Sequence, residues 1–234
     1  MLDSGWKRIR SPDAIDSVRF DAFMPKITSI RPQKRNKERV NVYVDDAFAM
    51  GLALNAALDL RIGTEFTPDL QQQLEADDEI EVNRQRVINL ISYRPRSIEE
   101  VRRNLRRKEV DDEVIEHIIS EFVEKGILDD AAFADYWIEQ RETFKPRGPQ
   151  ALRYELRQKG VDPQVIEPAL SDLDELDNAR RAAAKRANRF AGLDWQQFRK
   201  KLSGHLQRRG FRYEVIRQVV EENWNNISTS TLND

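Results

Sequence analysis

The chain has 234 residues, of which 39% are hydrophobic and 34% charged, so it is too apolar to be a disordered protein. Its 39 basic and 41 acidic residues nearly cancel, and overall charge therefore indicates no particular partner. The absence of cysteine excludes disulfides and thiolate metal sites and is natural in a reducing compartment. No apolar run resembles a signal peptide or a membrane span, so we expect a cytoplasmic protein without membrane association.

The N-terminal part of the chain changes from an aperiodic leader to strand-like alternation. Residues 1–25 carry little periodicity and predict a flexible leader. Residues 26–31 and 40–44 alternate with a period of two on either side of a polar turn. Asp45-Asp46 predicts a second turn before a short third strand. We therefore expect a small antiparallel meander.

Two short helices are expected after the meander. The apolar residues 52–60 predict the first helix, and Thr67-Pro68 begins the second, because Thr suits an N-cap and Pro the first helical position. Together with the meander these helices would form a small N-terminal unit over residues 26–77. From residue 78 onward the apolar spacing becomes helical.

The helical part of the sequence repeats itself. Leu105, Leu156 and Leu206 occupy the same place in three related segments, at spacings of 51 and 50 residues. A fixed long period with matching apolar positions is typical of repeat proteins, whose units bury their apolar faces against their neighbours. We predict a mainly α fold, an elongated stack of three tandem three-helix repeats behind the β-containing unit, with a disordered tail. The predicted repeats and tail are residues 78–130, 131–178, 179–226 and 227–234.

Start and stop signals divide each repeat into helices. In the first repeat, Ser97 with Glu100 forms a capping box, Asp111 can cap the next helix, and Gly126 can end it. In the second repeat, Pro168 lies inside a predicted helix, which it should kink or shorten.

Basic residues recur at matched positions of the second helix of each repeat. Two matched pairs lie four residues apart on one helical face, and a third position is basic in all three repeats. These residues are Arg102 and Arg153, Arg106 and Arg157, and Lys108, Lys159 and Arg209. In the third repeat, Ser203 and Gln207 replace the first two arginines. Each cation alone is explained as part of a solvated face, whereas a stacked array would align the set into one exposed row that suits phosphates or an acidic protein groove.

No arrangement of residues predicts catalysis or metal binding. His117 and His205 are isolated from other ligands, and Asp129-Asp130 precede a helix that they could cap. The aromatic residues of that helix have the spacing of a core face, not of a base-stacking platform. A metal-dependent nuclease would need clustered acidic ligands, which the dispersed carboxylates do not supply. We therefore expect a non-enzymatic protein without a cofactor.

Several segments, in the correct order, resemble a known family. Residues 126–134, which read Gly-Ile-Leu-Asp-Asp-Ala-Ala-Phe-Ala, and the Lys-Gly-Val of 159–161 are similar to the central repeat of the RecX family of bacterial recombinase regulators. Residues 93–101 and 208–211 resemble its first and third repeats. The resemblance extends over about residues 78–225.

The resemblance implies a function that composition does not indicate. RecX proteins lie in the helical groove of the RecA–DNA filament and modulate, mainly by inhibition, its strand exchange, ATP hydrolysis and co-protease activity. We therefore expect a monomer that regulates RecA in DNA repair and the SOS response, and that can also bind single- or double-stranded DNA directly. The alternative is a direct DNA-binding module, because three-helix units with a basic second helix resemble helix-turn-helix elements. The candidate partner-binding residues are Arg94, Arg96, Arg102, Arg106, Lys108, Arg141, Lys145, Arg147, Arg153, Arg157, Lys159, Arg208 and Arg209.

Overall fold

The computed structural model describes the backbone of residues 24–231 and the side chains of residues 24–228. Nearly all of the predicted leader therefore lies outside the described residues. The described chain is mainly helical, with nine α-helices and one three-stranded sheet, as predicted. The chain divides into two compact units, Met1–Glu81 and Val82–Asp234, and the division falls inside a helix.

The first unit contains the predicted antiparallel meander. Its strands are β1 (Ile27–Pro32), β2 (Arg39–Val44) and β3 (Ala47–Ala53), in the order β1-β2-β3. Asp45 and Asp46 form the turn between β2 and β3 with φ angles of 46° and 64°. Positive φ at both central residues is typical of a tight two-residue hairpin, so the predicted turn is confirmed.

The prediction of a helix over residues 52–60 is wrong. Leu52 belongs to β3, where it pairs with Val40 of β2, and both side chains are buried. Only a short 3-10 helix, Asn55–Ala57, follows the strand. A short apolar run suits a buried strand as well as a buried helix, and the burial of Leu52 within the sheet decides between them.

The helix that begins at Pro68 is much longer than expected. Helix α1 spans Pro68–Ser92, and the side-chain oxygen of Thr67 accepts a hydrogen bond from the backbone nitrogen of Leu70 at 3.1 Å. The predicted N-cap is thus confirmed, but no break occurs at residue 78. Asp78 lies inside α1, where its carboxylate accepts the backbone N–H of Ala53 at 2.5 Å. The change of period at this residue therefore marks a contact with the sheet and not the start of a new helix.

The second unit consists of three helix triplets. The first triplet is α1 from Val82 onward with α2 and α3, the second is α4 to α6, and the third is α7 to α9. The helices after α1 are α2 (Ile98–Arg106), α3 (Asp112–Glu124), α4 (Asp130–Phe144), α5 (Pro149–Gln158), α6 (Pro163–Ser171), α7 (Glu175–Arg189), α8 (Trp195–Gln207) and α9 (Tyr213–Thr231). Leu105, Leu156 and Leu206 are exposed by 1%, 0% and 0%, which confirms the predicted register of the repeats.

Most of the predicted helix ends are confirmed. Ser97 accepts from the backbone nitrogen of Glu100 at 3.1 Å, and Asp111 caps α3. Gly126 follows α3 with a φ of 66°, the left-handed conformation that ends many helices. Helix α6, which contains Pro168, has 9 residues where α3 has 13, so the predicted shortening is also confirmed.

The prediction of a disordered tail over residues 227–234 is wrong for residues 227–231, because α9 continues to Thr231. Trp224 and Ile227 pack against the core of the third triplet, and the hydroxyl of Ser228 donates to the carbonyl oxygen of Trp224 at 2.9 Å. Core packing by these apolar residues therefore extends the helix into a polar sequence. Residues 232–234 lie outside the described part of the chain.

Candidate partner-binding surface

In the first two triplets an arginine of the second helix forms a bidentate ion pair with a glutamate of the third helix. Arg102 donates to the two carboxylate oxygens of Glu116 at 2.7 and 3.0 Å. Arg153 donates to those of Glu167 at 2.6 and 2.7 Å. Hydrogen bonding by each arginine lowers the pKa of its glutamate. In each pair the arginine and the glutamate are 14 residues apart in the sequence, so both pairs join the second helix to the third at equivalent positions of their triplets. We call these two ion pairs inter-helix clamps.

The third triplet has no such clamp. The positions that match Arg102 and Glu116 are occupied by Ser203 and Arg217, so both a donor and an acceptor are lost. Among the described residues, Arg217 forms no salt bridge. The clamp is therefore a feature of the first two repeats only.

A second ion pair between the same two helices is present in the first triplet and is lost in the other two. Arg106 pairs with Asp112 at 2.9 Å in the first triplet. In the second triplet Arg157 is kept, but Pro163 stands where the aspartate would be. The third triplet has neither charge, because Gln207 occupies the arginine position. The number of these matched ion pairs falls from two to one to none across the three triplets.

The third repeat also differs from the first two in net charge. Residues 78–130 contain 10 Lys or Arg and 14 Asp or Glu, and residues 131–178 contain 6 and 10. Residues 179–226 contain 12 Lys or Arg and only 4 Asp or Glu. This excess of positive charge in the third repeat is visible in the sequence, but it is hidden when charge is summed over the whole chain.

Adjacent triplets meet through a contact that occurs twice. The hydroxyl of Ser97, at the N-cap of α2, donates to the carbonyl oxygen of Lys159 at the end of α5, at 2.6 Å. The backbone nitrogen of Gly148, at the N-cap of α5, donates to the carbonyl oxygen of Arg209 at the end of α8, at 2.9 Å. Since Ser97 matches Gly148 and Lys159 matches Arg209, the two joints bring together equivalent positions, although the donor is a side-chain hydroxyl in the first and a backbone nitrogen in the second.

The joint between the first and second triplets is built around Glu100. Its carboxylate accepts two hydrogen bonds from Arg94 at 3.0 Å and one from the ammonium group of Lys159 at 2.5 Å. Burial alone would raise the pKa of Glu100, but these hydrogen bonds lower it overall. Only one half of the capping box predicted at Ser97 is therefore present. The Ser97 side chain caps α2, but the Glu100 carboxylate binds Arg94 and Lys159 and does not reach back to the N-cap.

Trp137 connects this joint to a second carboxylate. The ammonium group of Lys159 lies 4.8 Å from the Trp137 ring, and the guanidinium of Arg141 lies 4.2 Å from it, both within the range of cation–π attraction. Glu155 accepts from the indole nitrogen of Trp137 at 2.9 Å and from Arg141 at 2.7 Å. Together with Arg94 and Glu100 these residues form one network, which we call the joint network.

The structure separates the thirteen predicted residues by their environment. Seven are paired with carboxylates, namely Arg94, Arg102, Arg106, Arg141, Arg147, Arg153 and Lys159. Arg209 donates to the carbonyl oxygen of Pro146 at 3.0 Å, and burial lowers its pKa. Arg96 is half-buried, and its Nε makes no hydrogen bond within the described residues. The exposed residues without a salt bridge among the described residues are Lys108, Lys145, Arg157 and Arg208.

The expectation of one exposed basic row is wrong for four members of the register-matched set. The side chains of Arg102, Arg153 and Lys159 are only 23%, 31% and 27% exposed, and Arg209 is half-buried. The physical reason is that their charges are used within the fold, in the clamps and the joints. Sequence reasoning placed these arginines on a helix surface but did not identify the glutamates that face them. Their role in binding a partner stays a prediction.

The remaining polar candidates have structural roles. Asp129 accepts from the backbone nitrogens of Ala131 and Ala132, so the predicted capping of α4 is confirmed. Asp130 accepts from the backbone nitrogen of Ile98 at 2.9 Å, and burial raises its pKa. No cluster of His, Asp or Glu within residues 24–231 has the arrangement of a metal site. No helix in that part of the chain is long and apolar enough to span a membrane.

Comparison with known proteins identifies the family. The RecX N-terminal domain matches residues 25–66, and the first, second and third RecX three-helix domains match residues 84–122, 129–170 and 173–220. The chain belongs to the RecX family. Regulatory protein RecX of Bacillus licheniformis is 31% identical over 85% of this chain and 78% of its own length. The RecX of Clostridium botulinum is 34% identical, over 86% of this chain and 98% of its own.

A solved RecX structure shares the fold. The crystal structure of a regulatory protein RecX superposes with a TM-score of 0.72 at 24% sequence identity, over 84% of this chain and 99% of that one. The superposition confirms the mainly helical fold. The matched domains and relatives confirm the family resemblance inferred from the sequence, with its three three-helix domains.

Proposed function

We propose that this RecX chain binds the RecA–DNA filament in its helical groove and modulates, mainly by inhibition, its recombinase, ATPase and co-protease activities. Membership of the RecX family carries the proposal, since its relatives bear the name Regulatory protein RecX. On this proposal the protein is a cytoplasmic monomer that acts by binding, without catalysis or a cofactor. The four RecX domains found in order along the chain support the proposal.

The cations without an internal partner are the best candidates for contacting the filament. An arginine already bound to both oxygens of a carboxylate has lost most of its attraction for a second anion, and breaking the pair would leave the carboxylate unpaired. Arg102 and Arg153 therefore suit a scaffold role. Lys108, Arg157 and Arg208 are exposed and unpaired among the described residues, so they can steer and hold an acidic surface.

The test is the ATPase rate of a RecA filament on single-stranded DNA at substoichiometric amounts of this protein. Wild type should suppress the rate. The triple variant Lys108→Glu, Arg157→Glu and Arg208→Glu should need at least about tenfold more protein for the same effect, and the difference should shrink as salt rises. A charge-matched control reverses three exposed cations in the β1–β2 turn and should inhibit like wild type. These cations are Lys34, Arg35 and Lys37.

Two results would count against this proposal in different ways. If wild type has no effect on the filament at any ratio, the proposed function is wrong. If wild type and the triple variant inhibit equally while both remain folded, the function stands but these three residues are not its contacts.

Direct binding to DNA is the second candidate, and the charge of the third repeat favours it. Residues 179–226 carry 12 basic and 4 acidic side chains, a surplus that attracts a phosphate backbone. Fluorescence anisotropy with labelled single- and double-stranded oligonucleotides, without RecA, tests it. Binding should weaken steeply between about 50 and 200 mM salt if phosphate contacts dominate. The absence of binding even at the lower salt concentration would exclude this candidate.

A further inference from the structure

The third triplet has an open groove at the place where the first two triplets have a clamp. Ser203 of α8 and Arg217 of α9 line this groove, and they occupy the positions of the clamp residues. Its volume is about 720 Å³, within the usual range of ligand-binding sites. The second triplet has a smaller cavity of about 320 Å³ at the matched positions, lined by its clamp residues Arg153 and Glu167. The groove of the third triplet is therefore the wider form of a cavity that the repeat already has, with Ser203 and Arg217 in place of the clamp.

The floor of the groove is apolar and held in place by the core. Ile216 and Val220 of α9 are buried at its base. Trp195 of α8 lines one end, and its ring packs against that of Trp224 with 5.4 Å between centroids. Tyr213, at the start of α9, is 70% exposed and also lines the groove. An apolar side chain inserted here would meet a preformed apolar surface.

The rim of the groove is positively charged. Arg199, Lys200 and Arg217 line it, and none of them forms a salt bridge among the described residues. Glu221 is the one acidic side chain in the described lining. Because the surrounding repeat has few carboxylates, these cations are available to an external anionic group.

The combination of floor and rim favours an acidic peptide over a nucleic acid. Phosphates would satisfy the cations and a base would stack on Tyr213, but the aliphatic floor formed by Ile216 and Val220 suits an aliphatic side chain better than a polar base edge. A convex duplex also fits poorly into a concave groove between two helices. A peptide that carries carboxylates and an apolar anchor would match both features, as in other complexes where a segment lies in a groove between helices.

We propose that the groove between α8 and α9 binds an acidic peptide segment of a partner protein. One apolar side chain of the segment lies against Trp195, Ile216 and Val220, and neighbouring carboxylates pair with the rim cations. This binding site goes beyond regulation of the filament, because the peptide segment is specified by its acidic and apolar side chains and not by the name of the partner protein that carries it.

The decisive variant builds into the third triplet the clamp that the other triplets have. Ser203→Arg combined with Arg217→Glu should join α8 to α9 and narrow the groove toward the roughly 320 Å³ of the matched cavity in the second triplet. Lys185→Ala, at an exposed position of α7, causes the same net change in charge and is the matched control. Each full-length protein is used to select from a displayed library of peptides in which Asp or Glu alternates with random apolar residues. Circular dichroism confirms that the helices are intact, and Arg217→Glu alone replaces the clamp variant if they are not.

Wild type and control should enrich the same peptides, and the clamp variant should bind them at least about tenfold more weakly in anisotropy titrations. Replacing the apolar residue of an enriched peptide with serine should weaken binding as much as replacing a carboxylate with its amide. No enrichment by wild type, or equal affinity for the clamp variant, would overturn the proposal. Stronger, clamp-sensitive binding of an oligothymidylate of matched charge would make the groove a nucleic-acid site instead. The ATPase assay with wild type tests the proposed function separately, so failure of one is distinguishable from failure of the other.

Discussion

Gly148 donates a hydrogen bond from its backbone nitrogen to the carbonyl oxygen of Arg209 at 2.9 Å. A Cβ atom on Gly148 would overlap the carbonyl group of Gly210, and one on Gly210 would overlap the backbone of Ala151. The second and third triplets therefore approach each other so closely that neither glycine leaves room for a side chain. At the matching joint, a Cβ on Gly160 would overlap the Cβ and Cγ atoms of Glu99, so this joint also leaves no room for a side chain.

The first prediction is that Gly148→Ala destabilises the protein by about 1–3 kcal/mol, because the backbone at Gly210 must shift. Gly126→Ala should cost about 1 kcal/mol, since this residue has a positive φ but open space around it. Gly192→Ala, with open space and no positive φ, should change stability little. Urea unfolding of the three variants provides the measurement, and equal losses in all three would contradict the close joint.

The second prediction concerns the apolar register of the repeats. Leu156→Ala should reduce the free energy of unfolding by about 2–5 kcal/mol, because the side chain is fully buried. Leu156→Asp should unfold the second triplet, since it places an unpaired charge in the core. Tyr154→Ala, two residues away and 65% exposed, is the control and should change the free energy by no more than about 0.5 kcal/mol. Thermal unfolding followed by circular dichroism tests all three.

The third prediction separates two neighbouring arginines of α5. Arg153→Glu should lower the melting temperature, because it breaks the clamp and brings a second carboxylate against Glu167. Adding Glu167→Arg should restore it by reversing the ion pair. Arg157→Glu should lower the melting temperature less, since Arg157 is exposed and forms no salt bridge among the described residues, and only its more distant charge acts on Glu167. Failure of the charge swap to rescue Arg153→Glu would show that the clamp contributes nothing to stability.

The fourth prediction follows from the lowered pKa of Glu100 in the joint network. A carboxylate with a lowered pKa in the folded state binds fewer protons there than in the unfolded chain at mildly acidic pH. Its contribution to stability is therefore complete above its ordinary pKa of 4.5 and is lost as pH falls through the lower folded value. Between pH about 5 and 3, wild type should lose more stability than Glu100→Gln. Glu139→Gln, at an exposed position of α4, should follow wild type.

The fifth prediction uses the two histidines of the chain. Burial, and then the positive charge of Arg209, lower the pKa of His205, so the folded state favours its neutral form. Its contribution to stability is present above the ordinary pKa of 6.5 and is lost as pH falls through the lower folded value. His205→Gln should therefore flatten the stability profile below pH about 6.5, whereas the exposed His117→Gln should not. Identical pH profiles for the two variants would rule out this role of His205.

The sequence alone was sufficient for the features that depend on local periodicity. The meander, the Asp45-Asp46 turn and the common register of Leu105, Leu156 and Leu206 were all predictable, because alternation and repeat spacing decide which side chains face a core. The resemblance to RecX was also carried by short segments in order. Element ends were less predictable, since the contacts of α1 and the packing of α9 extend both helices through polar residues.

The tertiary structure decided which charges are available. Lys159 and Arg153 look alike in the sequence as basic residues of one helix, yet one enters the joint with Glu100 and the other the clamp with Glu167. Neither partner could be assigned from spacing, because an ion pair depends on which side chains folding brings within about 3 Å. Periodicity determines the face on which a residue lies, but only the packed fold determines which opposite charge lies across from it.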